Sequence, residues 1–166
     1  SFLLYLIEQD SPVVITDVMV TSGAAAEPEP EPENPGASVV FTGTFGDAAY
    51  DVDTSTYTFP SGAQPWAGFA NEDTEVYPFT FPEGGSITFT ASAAAPTSLK
   101  FKFEKNPFPD TEPSFETETV LIDSTSAQEY TVEFAAQGEN TFSSFLLYLI
   151  EQDSPVVITD VVVRPN

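Results

Sequence analysis

The amino-acid sequence predicts an all-β protein, an antiparallel β-sandwich of the jelly-roll type. From Ala37 onward apolar residues recur mainly with a period of two, turn signals separate the apolar runs, and no stretch sustains the 3.6-residue period of a capped helix. About ten short strands in roughly 130 residues imply two packed sheets. An immunoglobulin-like sandwich is the competing architecture, but the strand number is high for it and the sequence contains no Cys.

The first element along the chain is one half of an internal repeat. SFLLYLIEQDSPVVITDVMV at residues 1–20 returns as SFLLYLIEQDSPVVITDVVV at residues 144–163, and the copies differ only at Met19 and Val162. The offset is too long for one turn of a solenoid and indicates tandem whole domains. Residues 1–22 are therefore predicted to be the C-terminal strands of a preceding repeat. The start at Ser1 rather than Met indicates a fragment of a longer precursor.

Residues 23–36 are predicted to form a linker that is rich in Glu and Pro. Glu27 to Glu33 alternate with prolines, and a further Pro35 follows. Proline favours polyproline II geometry and like charges repel, so the segment should be extended and semi-rigid, with a reach of up to ~43 Å at ~3.1 Å per residue.

The β-sandwich module itself is assigned to residues 37–166. Its clearest strands place three apolar residues each on one face: Ile87, Phe89 and Ala91; Leu99, Phe101 and Phe103; Tyr130, Val132 and Phe134. Thr, Lys and Glu lie between these positions, so each strand should have one solvent-exposed face, as antiparallel sheets allow. The unbroken run FLLYLI at residues 145–150 is predicted to be a central strand that is buried on both faces.

The composition excludes several classes of function. Four Lys/Arg stand against 26 Asp/Glu, which gives a formal net charge of −22, and Cys and His are absent. Thiol chemistry, histidine acid–base chemistry and thiolate or imidazole metal sites are thereby excluded. The negative field repels phosphate, so we expect no nucleic-acid partner and no membrane partner, whereas neutral polysaccharides and hard cations are compatible with it. Such acidity suits a protein secreted into a saline exterior.

The segment PWAGFANEDTEVYPF at residues 65–79 is the candidate sugar-binding platform. Trp66 and Tyr77 offer flat aromatic faces, and the amide of Asn71 can donate hydrogen bonds to hydroxyls. The alternative is that aromatic residues such as Trp66 and Phe69 belong to the core. The acidic residues 72–75 in this segment lack the strand pattern that would aim a pair of carboxylates into one cleft, so we expect them to be solvated.

Further motifs resemble a known family. GTFGDAAY, TYTFPSGAQPWAGFAN with YPFTF, FKFEKNPFPDTEPSF and NTFSSFLLYLIEQDSPVVITDVVV together resemble the accessory, often tandem, modules of marine bacterial laminarinase-type β-1,3-glucanases. The resemblance covers nearly all of residues 37–163 and implies a noncatalytic module, because the Glu-x-Asp-x-x-Glu strand of the laminarinases is missing. Asp160 is similar to the last-strand Asp that helps to hold a structural calcium in many jelly-roll carbohydrate-binding modules, and Asp47 is a further candidate ligand.

Calcium requires hard oxygen ligands, which the sequence supplies. Asp160 interrupts the apolar strand VVITDVVV, and a carboxylate buried there would need a partner. Asp51 and Asp53 form only a fragment of an EF-hand pattern, so an EF-hand is excluded and solvated turn carboxylates are the alternative reading.

Two functions follow from the sequence. The first is a noncatalytic carbohydrate-binding module of a secreted, extracellular multidomain protein that binds a β-glucan such as laminarin. The alternative is a structural or adhesive tandem-repeat module that forms a homo-oligomer or filament by strand exchange through residues 1–22. A hydrolase is a third and more distant reading, which sugar release would identify.

Overall fold

The computed structural model of the protein describes residues 36–166. The predicted repeat tail at residues 1–22 and the predicted linker up to residue 35 lie outside the described residues. Within residues 36–166 no helix is both long enough and apolar enough to cross a membrane.

The described residues form two six-stranded antiparallel sheets, which we call sheets A and B. Strands are numbered in chain order. Sheet A contains β1 (Ala37–Val39), β3 (Ala49–Asp51), β4 (Thr56–Thr58), β7 (Gly85–Ala93), β11 (Gln128–Phe134) and β14 (Val156–Pro165). Sheet B contains β2 (Gly43–Phe45), β5 (Gly68–Ala70), β8 (Thr97–Glu104), β9 (Ser114–Glu116), β10 (Val120–Ile122) and β13 (Ser144–Leu149). A 3₁₀ turn spans Thr74–Val76, and β6 (Phe79–Thr80) pairs with β12 (Thr141–Phe142).

The order of strands confirms the predicted sandwich. Sheet A runs β11-β7-β14-β4-β3 with β1 also paired to β14, and sheet B runs β10-β8-β13-β5-β2 with β9 also paired to β8. The chain passes repeatedly from one sheet to the other, as in a jelly roll. The predicted central strand is β13, which lies third of five in sheet B and is buried at every position except Tyr148, which is half-buried.

The core consists of the inward side chains that the period-two pattern identifies. Along β7 buried and half-buried residues alternate strictly over nine positions, because successive side chains of a strand point to opposite faces. Phenylalanines from both sheets meet between them: Phe89 of sheet A contacts Phe101 of sheet B at a centroid distance of 5.3 Å. Within sheet B the rings of Phe103 and Phe145 stack at 4.1 Å. Each fully buried side chain of this size contributes about 1.5–3 kcal/mol, so the apolar interior holds the sheets together.

Two local features of β14 matter below. At Asp160 the pairing with β7 shifts register, and this residue has a positive φ of 53° and an exposed side chain. A β-bulge of this kind turns the carboxylate to solvent, so it needs no buried partner. Near the end of the strand, Ala37 of β1 lies opposite Val163, which places the first and last described residues at the same end of sheet A.

Candidate functional site

The outer face of sheet B carries a cleft of about 820 Å³. Side chains alternate across a strand, so the residues of β8 and β13 that do not face the core form its floor. The strand register puts Ser144 opposite Glu104, Leu146 opposite Lys102, and Tyr148 opposite Lys100. Ala70 of β5 lies opposite Leu146 and extends the floor toward β2.

One side of the cleft is formed by three aromatic rings, which we call the aromatic shelf. Trp66 lies parallel to Phe45 with ring centroids 6.3 Å apart and an interplanar angle of 9°. Phe45 in turn meets Tyr148 edge-on at 5.9 Å and 75°. Trp66 is 60% exposed, so its indole face is available to a ligand. The prediction that Trp66 is a surface platform and not a core residue is consistent with this position, whereas Phe69 is fully buried.

Two glycines make room for the aromatic shelf. A Cβ at Gly68 would lie 2.8 Å from Cζ of Phe45 and 2.9 Å from Cδ1 of Tyr148. Both contacts are too short for a Cβ atom, so any other residue here would displace the rings. Gly46 has a φ of +65° in the turn after β2, and a Cβ there would lie 3.0 Å from Cζ3 of Trp66. The rings can therefore pack closely over backbone that carries no side chain.

The floor of the cleft contains a charged pair. Lys102 Nζ lies 2.8 Å from Oε1 of Glu104, and Ser144 Oγ donates to Oε2 of the same carboxylate at 3.2 Å. Glu104 is only 5% exposed. Burial by itself lowers the pKa of Lys102, but the hydrogen bond to Glu104 and its negative charge outweigh burial and raise that pKa. The lysine therefore remains charged at neutral pH.

Tyr148 keeps its phenol proton through the neutral range. Burial raises the pKa of this residue, and the negative charges of Glu104 and Glu116 add to the effect against the opposing charge of Lys102. Its hydroxyl can therefore serve as both donor and acceptor where the aromatic shelf meets the charged floor.

Asn71 lines the cleft with a donor that has no partner. Its side chain is 7% exposed, its Oδ1 accepts from the backbone N–H of Asp73, and its backbone N–H donates to the carbonyl of Phe145 at 3.0 Å. Its Nδ2 forms no hydrogen bond to any residue in the described part of the chain. A buried amide held in this way offers a fixed donor to a ligand.

Tyr77, the third residue predicted to bind sugar, takes a different position. It does not line the cleft. Its half-buried ring packs edge-on against Phe79 at 5.4 Å, and its hydroxyl donates to the backbone carbonyl of Asn71 at 3.4 Å. Burial raises the pKa of Tyr77 to about 12. Tyr77 thus supports the segment that carries Asn71.

The loop between β8 and β9 forms the other side of the cleft. Phe108 is 88% exposed and lies between Pro107 and Pro109. Asn106 Nδ2 donates to Oδ2 of Asp110 at 2.9 Å and closes the loop beneath it.

Of the residues that line the cleft, sequence reasoning identified only Trp66 and Asn71 as ligand-binding. Those it missed include Phe45, Lys102, Glu104, Phe108 and Tyr148. Three of these, Phe108, Lys102 and Glu104, carried a signal. Phe108 lies between two prolines in a turn, where a side chain is poorly placed to join the core. Lys102 and Glu104 occupy polar positions of β8, and such positions of an alternating strand lie together on one face.

The predicted calcium ligands lie on exposed turns or bulges. Asp47 and Asp160 are both exposed and both have a positive φ, of 67° and 53°. Oδ2 of Asp160 accepts a hydrogen bond from Thr159 Oγ1 at 2.9 Å. Within residues 36–166 no three acidic side chains cluster so as to hold a metal ion. A site at either residue would therefore have to draw most of its oxygens from backbone carbonyls and water.

Neither a protein-family model nor a curated protein matches this sequence. Solved structures of carbohydrate-binding modules are similar to it. A tandem pair of family 22 modules from Paenibacillus barcinonensis has a TM-score of 0.51 at 17% identity, over 78% of this chain and 45% of that one. A family 29 module from Piromyces equi has a TM-score of 0.48 at 13% identity, over 79% and 86% of the two chains. A xylan-binding family 22 domain from Paenibacillus barcinonensis has a TM-score of 0.46 at 19% identity, over 81% and 88%.

These similarities concern the fold. The tandem pair shows that the chain shares the β-sandwich fold found in carbohydrate-binding modules. The predicted jelly-roll class is confirmed.

Proposed function

We propose that this protein is a noncatalytic module that binds a neutral polysaccharide in the cleft on sheet B. The observation that carries the proposal is the aromatic shelf, with Trp66 60% exposed beside a floor of fixed polar groups. Sugar rings present C–H faces to aromatic rings and hydroxyls to donors and acceptors, and this cleft offers both side by side.

The chemistry of the cleft favours binding over hydrolysis. Glu104 is the one carboxylate among the described residues that line it, and its two oxygens are engaged by Lys102 and Ser144. Glycoside hydrolysis commonly uses two carboxylates placed on either side of the scissile bond. A single neutralised carboxylate suits hydrogen bonding to sugar hydroxyls.

A β-glucan of the laminarin type is the proposed ligand, in a secreted multidomain protein. The support is the resemblance of the sequence to the accessory modules of laminarinase-type enzymes, together with a fold shared with carbohydrate-binding modules. Because the ligand is neutral and held by stacking, its affinity should change little with salt.

Titration calorimetry with laminarin in high salt tests the proposal. Trp66→Ala should weaken binding on the order of tenfold, since aromatic packing beyond simple area burial contributes about 0.5–1.5 kcal/mol. Leu121→Ala is the matched control, because Leu121 is 54% exposed on β10 of the same sheet but does not line the cleft. No heat with laminarin, xylan or glucomannan, or unchanged binding by the Trp66 variant, would contradict the proposal.

The strand-exchange function remains the alternative. It rests on the repeat of residues 1–20, which lie outside the described residues.

A further inference from the structure

We propose that the Lys102–Glu104 pair sets the charge selectivity of the cleft, so that it accepts uncharged glycans and rejects those bearing carboxylates. The inference deepens the proposed polysaccharide-binding function and rests on it. Loss of Glu104 should convert the floor into one that attracts an anionic glycan.

The first step is the distribution of positive charge. The chain has four basic residues, and three of them, Lys100, Lys102 and Lys105, lie on β8 or directly after it. The outer face of sheet B is therefore the most cationic part of a strongly acidic protein. A cleft beside three lysines would by itself attract an acidic polysaccharide.

The second step is that an acid neutralises each of these lysines. Lys100 pairs with Glu116, and Nζ of Lys105 lies 3.7 Å from Oδ2 of Asp110. Both of those acids are substantially exposed, at 46% and 68% of their side chains, so water screens them. Only the acid that pairs with Lys102 is buried, at 7% side-chain exposure.

The third step is the position of this pair. Lys102 and Glu104 both line the cleft, and neither Lys100 nor Lys105 does. A ligand on the floor therefore meets one cation whose charge is cancelled at 2.8 Å. At physiological salt, the electrostatic effect of distant surface charges is screened beyond a Debye length of about 8 Å. The partly buried Lys102–Glu104 pair is screened less, so it acts more strongly on a ligand in contact with it.

The geometry also explains why the carboxylate is fixed. Ser144 Oγ donates to Oε2 of Glu104 while Lys102 holds Oε1, so the carboxylate cannot turn away from the lysine without losing a hydrogen bond. Ser144 lies directly opposite Glu104 in the strand register. It is therefore a positioning residue for the acid.

The experiment compares two glucans with one backbone: laminarin and a carboxymethylated β-1,3-glucan. For each variant the measured quantity is the ratio of the two dissociation constants, at low and at high salt. In Glu104→Gln the affinity for the anionic glucan relative to laminarin should rise on the order of tenfold at low salt. This rise should largely vanish at high salt, because salt screens the charge of Lys102. Glu116→Gln removes the same charge outside the cleft and should leave the ratio within about twofold.

A double variant, Lys102→Met with Glu104→Gln, identifies the cation as the cause. It removes both charges without leaving one unpaired, which also protects folding. Its ratio should return to that of the unmodified protein. Lys102→Met alone leaves the carboxylate and should shift the ratio further against the anionic glucan.

The outcomes separate the two proposals. If the unmodified protein binds neither glucan, the proposed polysaccharide function fails. If it binds laminarin but Glu104→Gln shifts the ratio no more than Glu116→Gln does, or the double variant keeps the shift, the selectivity inference is overturned while the function stands. Should Glu104→Gln not fold, Lys102→Met decides, and an unchanged ratio in that variant counts against the inference.

Discussion

The outer faces of the two sheets come from the same sequence pattern but differ in chemistry. On sheet A the outward residues of β7 are Ser86, Thr88, Thr90 and Ser92, and Glu129 and Glu133 of β11 lie beside them in register. On sheet B the outward residues include Lys102, Glu104 and Tyr148, flanked by the rings of Trp66 and Phe108. Alternation predicts that both outer faces are exposed to solvent. On sheet B, aromatic segments border this face and form the sides of a cleft. The binding face thus depends on the loops and aromatic rings at its edges as much as on the strands that form its floor.

The largest expected effect comes from removing the space under the aromatic shelf. In Gly68→Ala the new methyl group would lie within 2.9 Å of Phe45, Tyr148 and the carbonyl of Leu147, so the rings must separate. We expect laminarin binding to fall more than tenfold and the melting temperature to drop, because a backbone contact cannot relax. Calorimetry well below the melting temperature measures the first effect.

Two controls make this result specific. In Gly43→Ala, on the same outer face, the nearest atoms to the new methyl group are those of the flexible Glu72 side chain, at 3.0 Å, so this substitution should cost little. Thr88→Ala on sheet A should leave binding unchanged. Equal losses in Thr88→Ala would remove the distinction between the two faces.

Alkaline pH should act through the buried tyrosines. These include Tyr57 on β4 of sheet A, whose pKa burial raises well above its usual range, and two tyrosines near the cleft. Burial raises the pKa of Tyr77 from 10.0 to about 12, and burial also raises that of Tyr148. The folded state therefore retains these protons when the unfolded chain has lost them. For Tyr77, the contribution to the free energy of unfolding is fully present below pH 10, the pKa in the unfolded chain. It is lost as the pH rises from 10 to about 12, the pKa in the folded state, and it changes no further at higher pH.

Denaturant unfolding between pH 8 and pH 12 measures this effect. Tyr77→Phe should have a shallower alkaline decline than the unmodified protein, since one of the shifted groups is gone. An identical decline in both proteins would show that Tyr77 does not contribute.

Calcium at Asp160 should act on β14 of sheet A, whereas the cleft floor belongs to sheet B. If Asp160, with or without Asp47, binds one structural calcium, a hundredfold excess over Kd adds about 2.7 kcal/mol of stability. EDTA should then lower the melting temperature by several degrees, and Asp160→Asn should abolish the difference. Laminarin affinity should be the same with and without EDTA. Coincident melts in calcium and in EDTA would eliminate this site.

The smallest effect expected is self-association through residues 1–22. The strands with the same sequence, β13 and β14, occupy central positions in sheets B and A, so an incoming copy can pair there only after the native strands leave. We therefore expect a minor, slowly formed associated fraction that disappears in a chain starting at residue 23. Light scattering on both chains tests this, and association that survives the deletion would contradict strand exchange.

The sequence was sufficient to predict the sandwich because the pattern behind it is local. Two-residue alternation in β7, β8 and β11 marks inward residues without any knowledge of the partner strand. The central position of β13 followed from its lack of alternation for the same reason.

The cleft is harder to predict because it depends on distant segments coming together. Trp66 and Phe69 are three residues apart and similar in type, yet one is 60% exposed and the other fully buried. Strand β5, which contains Phe69, has only three residues, too few for a period to appear. Phe45 and Tyr148 are about a hundred positions apart, and only the register through β5 and β13 places them side by side.

The pairing of β1 with β14 has a mechanical consequence. The chain enters the module at Ala37 and leaves it after Val163, and these residues lie opposite each other in antiparallel strands. A tensile force applied through both ends would therefore peel β1 from β14 one residue pair at a time, beginning at Ala37, and would not shear all three pairs together. In a tandem array each module would add little to the end-to-end distance, which its predicted linkers of up to ~43 Å would set. Such an array is suited to presenting many clefts along extended, semi-rigid linkers, and it is poorly suited to bearing load.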